Sequence, residues 1–293
     1  MLRRALLLGH TGYIGGRLFA ALRRRRPDMD VLGHSLGSVD LTREEQVASL
    51  AAMCNCETVL ILCSGIKKQY GDTLEHFQQN VAMAVNVARL VSEHPVGRLI
   101  FFSSAEVYGE GVHNTAIMEE TPVQATTYYG LAKFVSEGVL RKAITDATSL
   151  AVLRPPLVYG PGEQGSYYGP GGFVRGAYRG DPITLWGEGD ELREFLYVDD
   201  LVNITIRLMS VEWSGVVNIA SGDSRTFREL LDLIAAEATL PVSIATRPRT
   251  KPKVDQRFVG SLIRRLMPEV RFTSLEDGVR KVFAAEPSVT VGR

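Results

Sequence analysis

Residues 5–18, with the sequence ALLLGHTGYIGGRL, constrain the fold more than any other stretch of this chain. An apolar run ends at Gly9, and Gly12 and Gly15 follow at three-residue intervals before apolar residues recur with helical spacing. This order predicts a strand, a tight turn and a helix whose free N–H groups face a pyrophosphate. A glycine fingerprint alone also suits an ordinary turn, but the flanking strand and helix indicate a dinucleotide site.

The composition favours a small-molecule partner. The 293 residues include 33 basic and 33 acidic side chains, which leaves no basic field for nucleic acid. The three cysteines, Cys54, Cys56 and Cys63, are too few for a four-ligand metal site, and an odd number argues against a disulfide framework. We therefore expect buried thiols and no metal. No apolar run approaches a membrane span and no signal peptide precedes the first strand, so we expect a soluble, cytoplasmic protein without a membrane partner.

Strands and helices alternate along the first half of the chain. The pattern predicts a helix from about Thr42, a strand over Thr58–Cys63, a helix over Glu75–Ser92 and a strand over Arg98–Phe102. Such alternation is typical of an α/β fold with a Rossmann-type, doubly wound parallel sheet.

The second predicted strand, Asp30–Gly33, leaves the choice of coenzyme open. NAD-binding folds commonly carry an acidic residue after this strand to bind both ribose hydroxyls. Here the chain continues with His34 and Ser35, so the usual basis for excluding a 2′-phosphate is missing. NAD and NADP are both compatible with the sequence, with a slight preference for NAD.

Two polar residues follow the buried strand Arg98–Phe102, at the edge where open α/β sheets bind ligands. Ser104 is well placed there, and Glu106 would share its face if the extended conformation persisted that far. The alternative for either residue is ordinary turn capping.

Tyr129 and Lys133 lie four residues apart, which places them on one face of a predicted helix. An ammonium group beside a phenol lowers the pKa of the phenol, as removal of a proton from an alcohol requires. The spacing alone is common on helix surfaces, and it gains weight from the glycine turn and Ser104.

Taken together, the motifs identify a family resemblance over nearly the whole chain. The runs that carry it are the glycine turn, SSAEVYG from Ser103, YGLAK from Tyr129, LRPPLVYGPG from Leu153 and REFLYVDD from Arg193. The chain resembles the extended short-chain dehydrogenase/reductases, and among them the NAD(P)-dependent nucleotide-sugar epimerases and dehydratases.

The resemblance implies a role for each matching residue. Tyr129 would be the catalytic base, Lys133 would hold the nicotinamide ribose, and Ser104 would orient the sugar. Glu106 could reach the sugar near C5 or C6, where a glutamate handles a proton in members that resemble dehydratases and decarboxylases, a role that a simple epimerase does not need. Contacts to the coenzyme are implied for Gly9, Gly12, Tyr13, Ile14 and Gly15 at the pyrophosphate, His34 and Ser35 at the ribose, Asp40 and Leu41 at the adenine, Ser64, Gly65 and Lys67 on the nicotinamide side, Asn80 at the pocket floor, and Pro156, with Tyr129 and Lys133 also in contact.

The substrate implied is a nucleotide-diphosphate sugar. Arg193 matches the arginine that grips the diphosphate, and Arg249 is a second candidate on an approximate match. With Ser104, Glu106 and Tyr129 they form the predicted substrate site. The chain has Leu157 where many epimerases have asparagine, and Ala105 replaces the aspartate of the Asp-Glu pair of the dehydratases, which disfavours a plain dehydratase.

The resemblance also implies the organisation of the chain. Residues 1–157 and about 195–222 would form the dinucleotide-binding domain, and residues 158–194 and 223–293 a smaller, C-terminal substrate-binding lobe. Residues 241–253 would be a strand and loop over the nucleotide or a solvated connector. A homodimer is expected through the helix Asn80–Val91 and the helix of Tyr129, with apolar faces that include Val81, Val85, Phe134 and Leu140.

Three functional hypotheses follow. The first is an epimerase that oxidises a nucleotide sugar at C4 to a transient 4-keto intermediate and returns the hydride to the other face. The second is an NADPH-dependent 4-keto-sugar reductase, which His34 and Leu157 favour. The third, from another class, is a non-catalytic NAD(P)-binding sensor, since fold does not fix function.

Overall fold

The computed structural model describes residues 2–111, 113–163 and 169–286. Strands and helices alternate from the first described residues onwards. The strands are β1 (Arg4–Leu8), β2 (Asp30–His34), β3 (Thr58–Leu62), β4 (Arg98–Phe102), β5 (Asn114–Ile117), β6 (Ser149–Arg154), β7 (Leu157–Tyr159), β8 (Ile183–Trp186), β9 (Leu192–Tyr197), β10 (Gly215–Asn218), β11 (Ser224–Thr226), β12 (Ile244–Arg247) and β13 (Gln256–Phe258). The helices are α1 (Tyr13–Arg25), α2 (Glu44–Ala48), α3 (Leu74–Glu93), α4 (Tyr128–Ala143), α5 (Pro170–Arg179), α6 (Val198–Leu208), α7 (Phe227–Glu237), α8 (Ser261–Leu266) and α9 (Leu275–Ala285), with 3-10 turns at Ala51–Met53, Lys68–Tyr70 and Ala105–Tyr108.

Six parallel strands form the main sheet in the order β10-β6-β4-β3-β1-β2. Successive strand residues point to opposite faces, so Leu7 and Ile61 pack under α1 and α6, whereas Leu6 and Leu60 pack under α2, α3 and α4. Helices therefore cover both faces, which confirms the predicted doubly wound α/β class. The strand order reverses between β1 and β3, and ligands of such sheets bind beyond the carboxyl ends of strands at this point.

A smaller part of the molecule packs around its own apolar cluster. It contains the sheet β11-β9-β7, the strand pair β12-β8, and helices α5, α7 and α9. Aromatic residues Phe173, Phe195 and Phe227 meet edge to face at its centre. Strand β10 returns to the main sheet beside β6. The domain boundaries given above remain predictions, as does the placement of residues 241–253 over a nucleotide, although β12 lies within that segment.

Two side chains differ in exposure from the expectations. Leu140 lies on the face of α4 that packs against the main sheet and is fully buried there. It is therefore not on a surface that a second subunit could reach. Cys56 is exposed, since it lies in the turn that leads into β3, whereas Cys54 and Cys63 are partly buried.

Across the described ranges, no helix combines the length and the apolar character that a bilayer span demands. Within those same ranges, no group of three or more His, Cys, Asp or Glu side chains is arranged to hold a metal ion.

Candidate active site

The glycine turn closes tightly between β1 and α1. Gly9 has φ of +95°, and a Cβ there would lie 2.8 Å from the backbone nitrogen of Ser64. A Cβ at Gly15 would overlap the carbonyl oxygen of Gly9, so α1 can pack this closely only with glycine. Gly12 precedes the first residue of α1 and offers no side-chain cap to its free N–H groups. These residues form a cradle that fits the pyrophosphate of a dinucleotide.

The predicted adenosine end of the site lies beyond β2. The carbonyl oxygen of His34 accepts a hydrogen bond from the Gly9 N–H at 2.7 Å. The imidazole ring of His34 faces Ser38, with 3.4 Å between Nδ1 and Oγ. Burial lowers the pKa of His34, and the nearby His10 lowers it further. Ser35 begins the exposed turn to Ser38. No carboxylate ends β2, and the next acidic residue, Asp40, accepts hydrogen bonds from the backbone and hydroxyl of Thr42, beside the buried Leu41.

A cavity of about 500 Å³ opens at the carboxyl edge of the main sheet. Its wall brings together ten of the predicted residues, namely Tyr13, Ile14, Gly65, Lys67, Ser104, Glu106, Tyr129, Lys133, Pro156 and Arg193. The remaining predicted residues lie outside its lining: Gly9, Gly12, Gly15, His34, Ser35, Asp40, Leu41, Ser64, Asn80 and Arg249. Asn80 bonds the backbone of Ile66 through both its amide atoms, at 2.8 and 3.0 Å, and so holds the loop after β3 in place.

Ser104, Tyr129 and Lys133 meet in this cavity. Ser104 follows β4, and its hydroxyl is hydrogen-bonded to Tyr129 of α4. Lys133, one turn further along α4, donates a hydrogen bond to the carbonyl oxygen of Phe102 at 2.7 Å. Its Nζ lies 5.7 Å from the centre of the Tyr129 ring. The three side chains are thus placed for proton transfer to or from one bound group.

The pKa of Tyr129 differs from the sequence expectation. Burial raises it above its ordinary value, ionisation of Glu106 raises it further, and the hydrogen bond with Ser104 lowers it. Burial also lowers the pKa of Lys133 to about 8. The expectation of a phenol pKa depressed by Lys133 was therefore wrong for this structure, because desolvation disfavours the charged form of both groups and outweighs their spacing.

Glu106 reaches the cavity by a different backbone route from the one expected. The extended conformation stops at Ser104, whose hydroxyl accepts a hydrogen bond from the Glu106 N–H at 3.1 Å and caps the 3-10 turn Ala105–Tyr108. The local preference of serine for capping decides this geometry. Glu106 nevertheless lines the cavity, where Lys68 bonds its carboxylate at 3.0 Å.

The two candidate diphosphate arginines occupy different positions. Arg193 of β9 lies in the cavity wall, and its guanidinium donates to the carbonyl oxygens of Leu192 at 2.8 Å and Val254 at 2.5 Å. Arg249 lies behind the wall, where it pairs with Asp190 at 2.5 Å and with Glu191. Their roles toward a substrate remain predictions.

A buried ion pair at the carboxyl edge of the main sheet was not predicted. Arg154, at the end of β6, binds both carboxylate oxygens of Glu137 at 2.9 and 2.6 Å, and these side chains are 5% and 2% exposed. Ser103 donates to Glu137, and Tyr108 accepts from Arg154 at 2.9 Å. The signal was present in the sequence: Glu137 continues the four-residue spacing of Tyr129 and Lys133 on α4, and Arg154 ends a buried strand.

A parallel sheet with a glycine turn at its switch point, and Ser, Tyr and Lys at the same edge, defines a nicotinamide-dependent dehydrogenase/reductase fold. The chain belongs to the NAD-dependent epimerase/dehydratase family, whose model matches residues 5–220. This membership confirms the resemblance, and with it an enzyme family of nucleotide-sugar epimerases, dehydratases and reductases.

The curated relatives carry out different reactions. GDP-L-fucose synthase 1 of Arabidopsis thaliana is 27% identical over 250 residues, which cover 77% of this chain and 75% of the relative. UDP-N-acetyl-alpha-D-glucosaminuronate decarboxylase of Bacillus cytotoxicus is 26% identical over 253 residues, 78% of each chain. The family is therefore fixed, while the reaction differs among relatives at this level of identity.

Solved structures with the same fold contain nicotinamide coenzymes. UDP-glucose 4-epimerase of Thermus thermophilus, in complex with NAD, has a TM-score of 0.80 at 21% identity and covers 96% of this chain and 98% of its own. RMD from Pseudomonas aeruginosa, complexed with NADPH, has a TM-score of 0.82 at 21% identity and covers 97% of this chain and 99% of its own.

Proposed function

We propose that the protein is an epimerase that oxidises a nucleotide-diphosphate sugar at C4 to a transient 4-keto intermediate and reduces it on the opposite face. The observation that carries this proposal is the meeting of Ser104, Tyr129 and Lys133 in one cavity beside the glycine turn. Proton transfer at a sugar hydroxyl needs such a set, and hydride transfer needs the coenzyme next to it.

The residues of this chain have distinct tasks in the proposed reaction. Tyr129 takes the proton of the C4 hydroxyl and later returns one to the C4 oxygen. Ser104, hydrogen-bonded to Tyr129, orients that oxygen. Lys133 holds the nicotinamide ribose, and Arg193 in the cavity wall binds the diphosphate. The nicotinamide, when bound, supplies the hydride acceptor and donor.

A second candidate, an NADPH-dependent 4-keto-sugar reductase, is favoured by the end of β2. His34 and Ser35 stand there in place of a carboxylate, so nothing at this end of the strand repels a 2′-phosphate. We prefer NAD as the coenzyme only slightly, because the same turn also accommodates a free 2′-hydroxyl.

The coenzyme content of the purified protein discriminates between the two reactions. We expect the epimerase to purify with tightly held NAD and to convert a nucleotide sugar without net consumption of coenzyme. A reductase would exchange NADPH and consume it in equal amount to the product. Incubation with a panel of nucleotide sugars, followed by mass spectrometry and sugar analysis, measures both. Binding of NAD(P)H with no turnover of any sugar would instead favour the non-catalytic sensor.

We also propose a homodimer through α3 and α4. Large apolar side chains are exposed along one stripe of α4 at Tyr128, Leu131 and Phe134, between 40% and 42% of their surface. Leu74 of α3, the helix that packs against α4, is 53% exposed. Exposed apolar surface of this kind marks protein interfaces. Of the two α4 residues expected on the dimer face, Phe134 lies in this exposed stripe, whereas Leu140 is buried and does not.

The dimer gives a testable prediction for Leu131→Glu. A charge in the centre of an apolar interface would be desolvated without a partner, so we expect this variant to sediment as a monomer at micromolar concentration, where the wild type sediments as a dimer. Leu240→Glu is the matched control, because Leu240 is 45% exposed and lies away from α3 and α4. A wild-type monomer, or a dimer that survives the change at Leu131, contradicts the proposal.

A further inference from the structure

A single lysine joins two carboxyl groups on the cavity wall beside Tyr129. The Nζ of Lys68 donates to Glu106 at 3.0 Å and also to Glu110. The hydroxyl of Thr127 donates to the other oxygen of Glu106 at 3.4 Å. The Glu106 side chain is 20% exposed and that of Glu110 is 40% exposed, so the pair has an inner and an outer carboxyl group.

The inner carboxyl group matters for the proposed base. A negative charge on Glu106 raises the pKa of Tyr129 and therefore opposes the loss of its proton. Glu110 lies farther out, beside Lys68 and Arg193, and is not among the groups that raise the pKa of Tyr129. The position of the charge within the pair thus changes the ease with which Tyr129 ionises.

The charged groups around the pair hold the proton on its inner member. Burial and the charge of Glu110 raise the pKa of Glu106 to about 7, against the opposing effect of Lys68. Burial raises the pKa of Glu110, but the hydrogen bond with Glu106 and the charges of Lys68 and Arg193 outweigh it and lower the pKa below its ordinary value. Two like charges this close do not both ionise freely, and the more exposed group takes the charge.

We propose that Glu110 is a positioning residue for the Tyr129 base, because it keeps the negative charge of the carboxyl pair on the outer member and away from the phenol. The inference rests on the proposed role of Tyr129. Lys68 holds the two carboxyl groups together, and below about pH 7 Glu106 is mostly neutral beside Tyr129 while Glu110 is ionised.

The first test follows the protonation of Glu106 without substrate. Carbon-13 NMR of the glutamate carboxyl carbons, recorded against pH, gives the titration midpoint of Glu106. The Glu106 signal is assigned as the one that is missing in Glu106→Gln. In Glu110→Gln we expect the midpoint of Glu106 to fall by about one pH unit or more, because the repelling charge is gone and Lys68 remains. Glu120→Gln is the matched control, since Glu120 is exposed and outside the cavity lining. An unchanged or raised midpoint in Glu110→Gln overturns the inference.

The second test follows catalysis against pH. In Glu110→Gln the negative charge moves to Glu106 and raises the pKa of Tyr129. The acidic limb of the pH profile of kcat/KM therefore moves to higher pH. The rate at pH 7 then falls about tenfold for each pH unit that the limb moves, and it recovers at higher pH. In a Glu106→Gln background, which costs about tenfold or less if Glu106 moves no proton to carbon, adding Glu110→Gln changes the rate by less than about twofold. Equal losses in both backgrounds overturn the inference.

The two tests separate the two ideas. Absence of turnover with every nucleotide sugar overturns the proposed epimerase, and the NMR midpoint still judges the role of Glu110. Turnover of a nucleotide sugar, together with an unchanged titration midpoint of Glu106 in Glu110→Gln, keeps the proposed epimerase and overturns the role of Glu110.

Discussion

We expect Tyr129→Phe to lower kcat by about a thousandfold, within the range that general acid–base catalysis contributes. The change removes the hydroxyl that takes the C4 proton and leaves the ring in the cavity wall. Lys133 keeps its contact with the carbonyl of Phe102, so coenzyme binding persists. Steady-state kinetics, together with a fluorescence titration of the reduced coenzyme, measures the two effects separately.

Tyr128→Phe is the control for this prediction. Tyr128 is the neighbouring residue on α4, but its side chain is 42% exposed and lies outside the cavity lining. We expect it to retain wild-type turnover. If Tyr129→Phe keeps more than about a tenth of the wild-type kcat, Tyr129 is not the base, because loss of a general base costs far more than that.

The second large effect concerns stability. We expect Arg154→Met to reduce the free energy of unfolding by about 3–5 kcal/mol, because it leaves the carboxylate of Glu137 buried without its partner. Tyr108 would lose the hydrogen bond that Arg154 donates to its hydroxyl, and Ser103 would keep only the unpaired Glu137 as its acceptor. Urea unfolding followed by circular dichroism measures the loss.

Arg26→Met is the matched control for the buried pair. Arg26 binds Asp28 at 2.8 Å, but Asp28 is exposed to water, which screens the attraction between the two charges and leaves no buried carboxylate when Arg26 is removed. We therefore expect this variant to unfold close to the wild-type midpoint. A loss below about 1 kcal/mol for Arg154→Met would show that Glu137 finds other compensation, contrary to the role assigned to the pair.

The main sheet could be predicted because its signals are local. The turn at Gly9 and Gly15 requires glycine for steric reasons that a spacing of three reveals, and β4 is a continuous apolar run. The four-residue spacing of Tyr129 and Lys133 placed both in the cavity. Each of these inferences needs only neighbouring residues and the geometry of one strand or helix.

The rest depends on distant contacts that a single sequence does not show. Lys68 and Glu110 are brought to Glu106 by two separate turns, and neither residue stands in a recognisable motif. The pKa of Tyr129 depends on how deeply the cavity buries it, which the spacing to Lys133 does not reveal. Leu140 was assigned to an open face because helical spacing gives the stripe but not the side that the sheet covers.

The most direct test of the proposed reaction uses a nucleotide sugar carrying deuterium at C4, taken from the panel that identifies the substrate. The account predicts that both epimers keep the deuterium at C4, because the hydride leaves and returns within one cavity, and that no solvent deuterium enters C5 in a parallel reaction in heavy water. Loss of the C4 label to solvent, or incorporation of solvent deuterium at C5, would contradict a reaction confined to hydride transfer at C4.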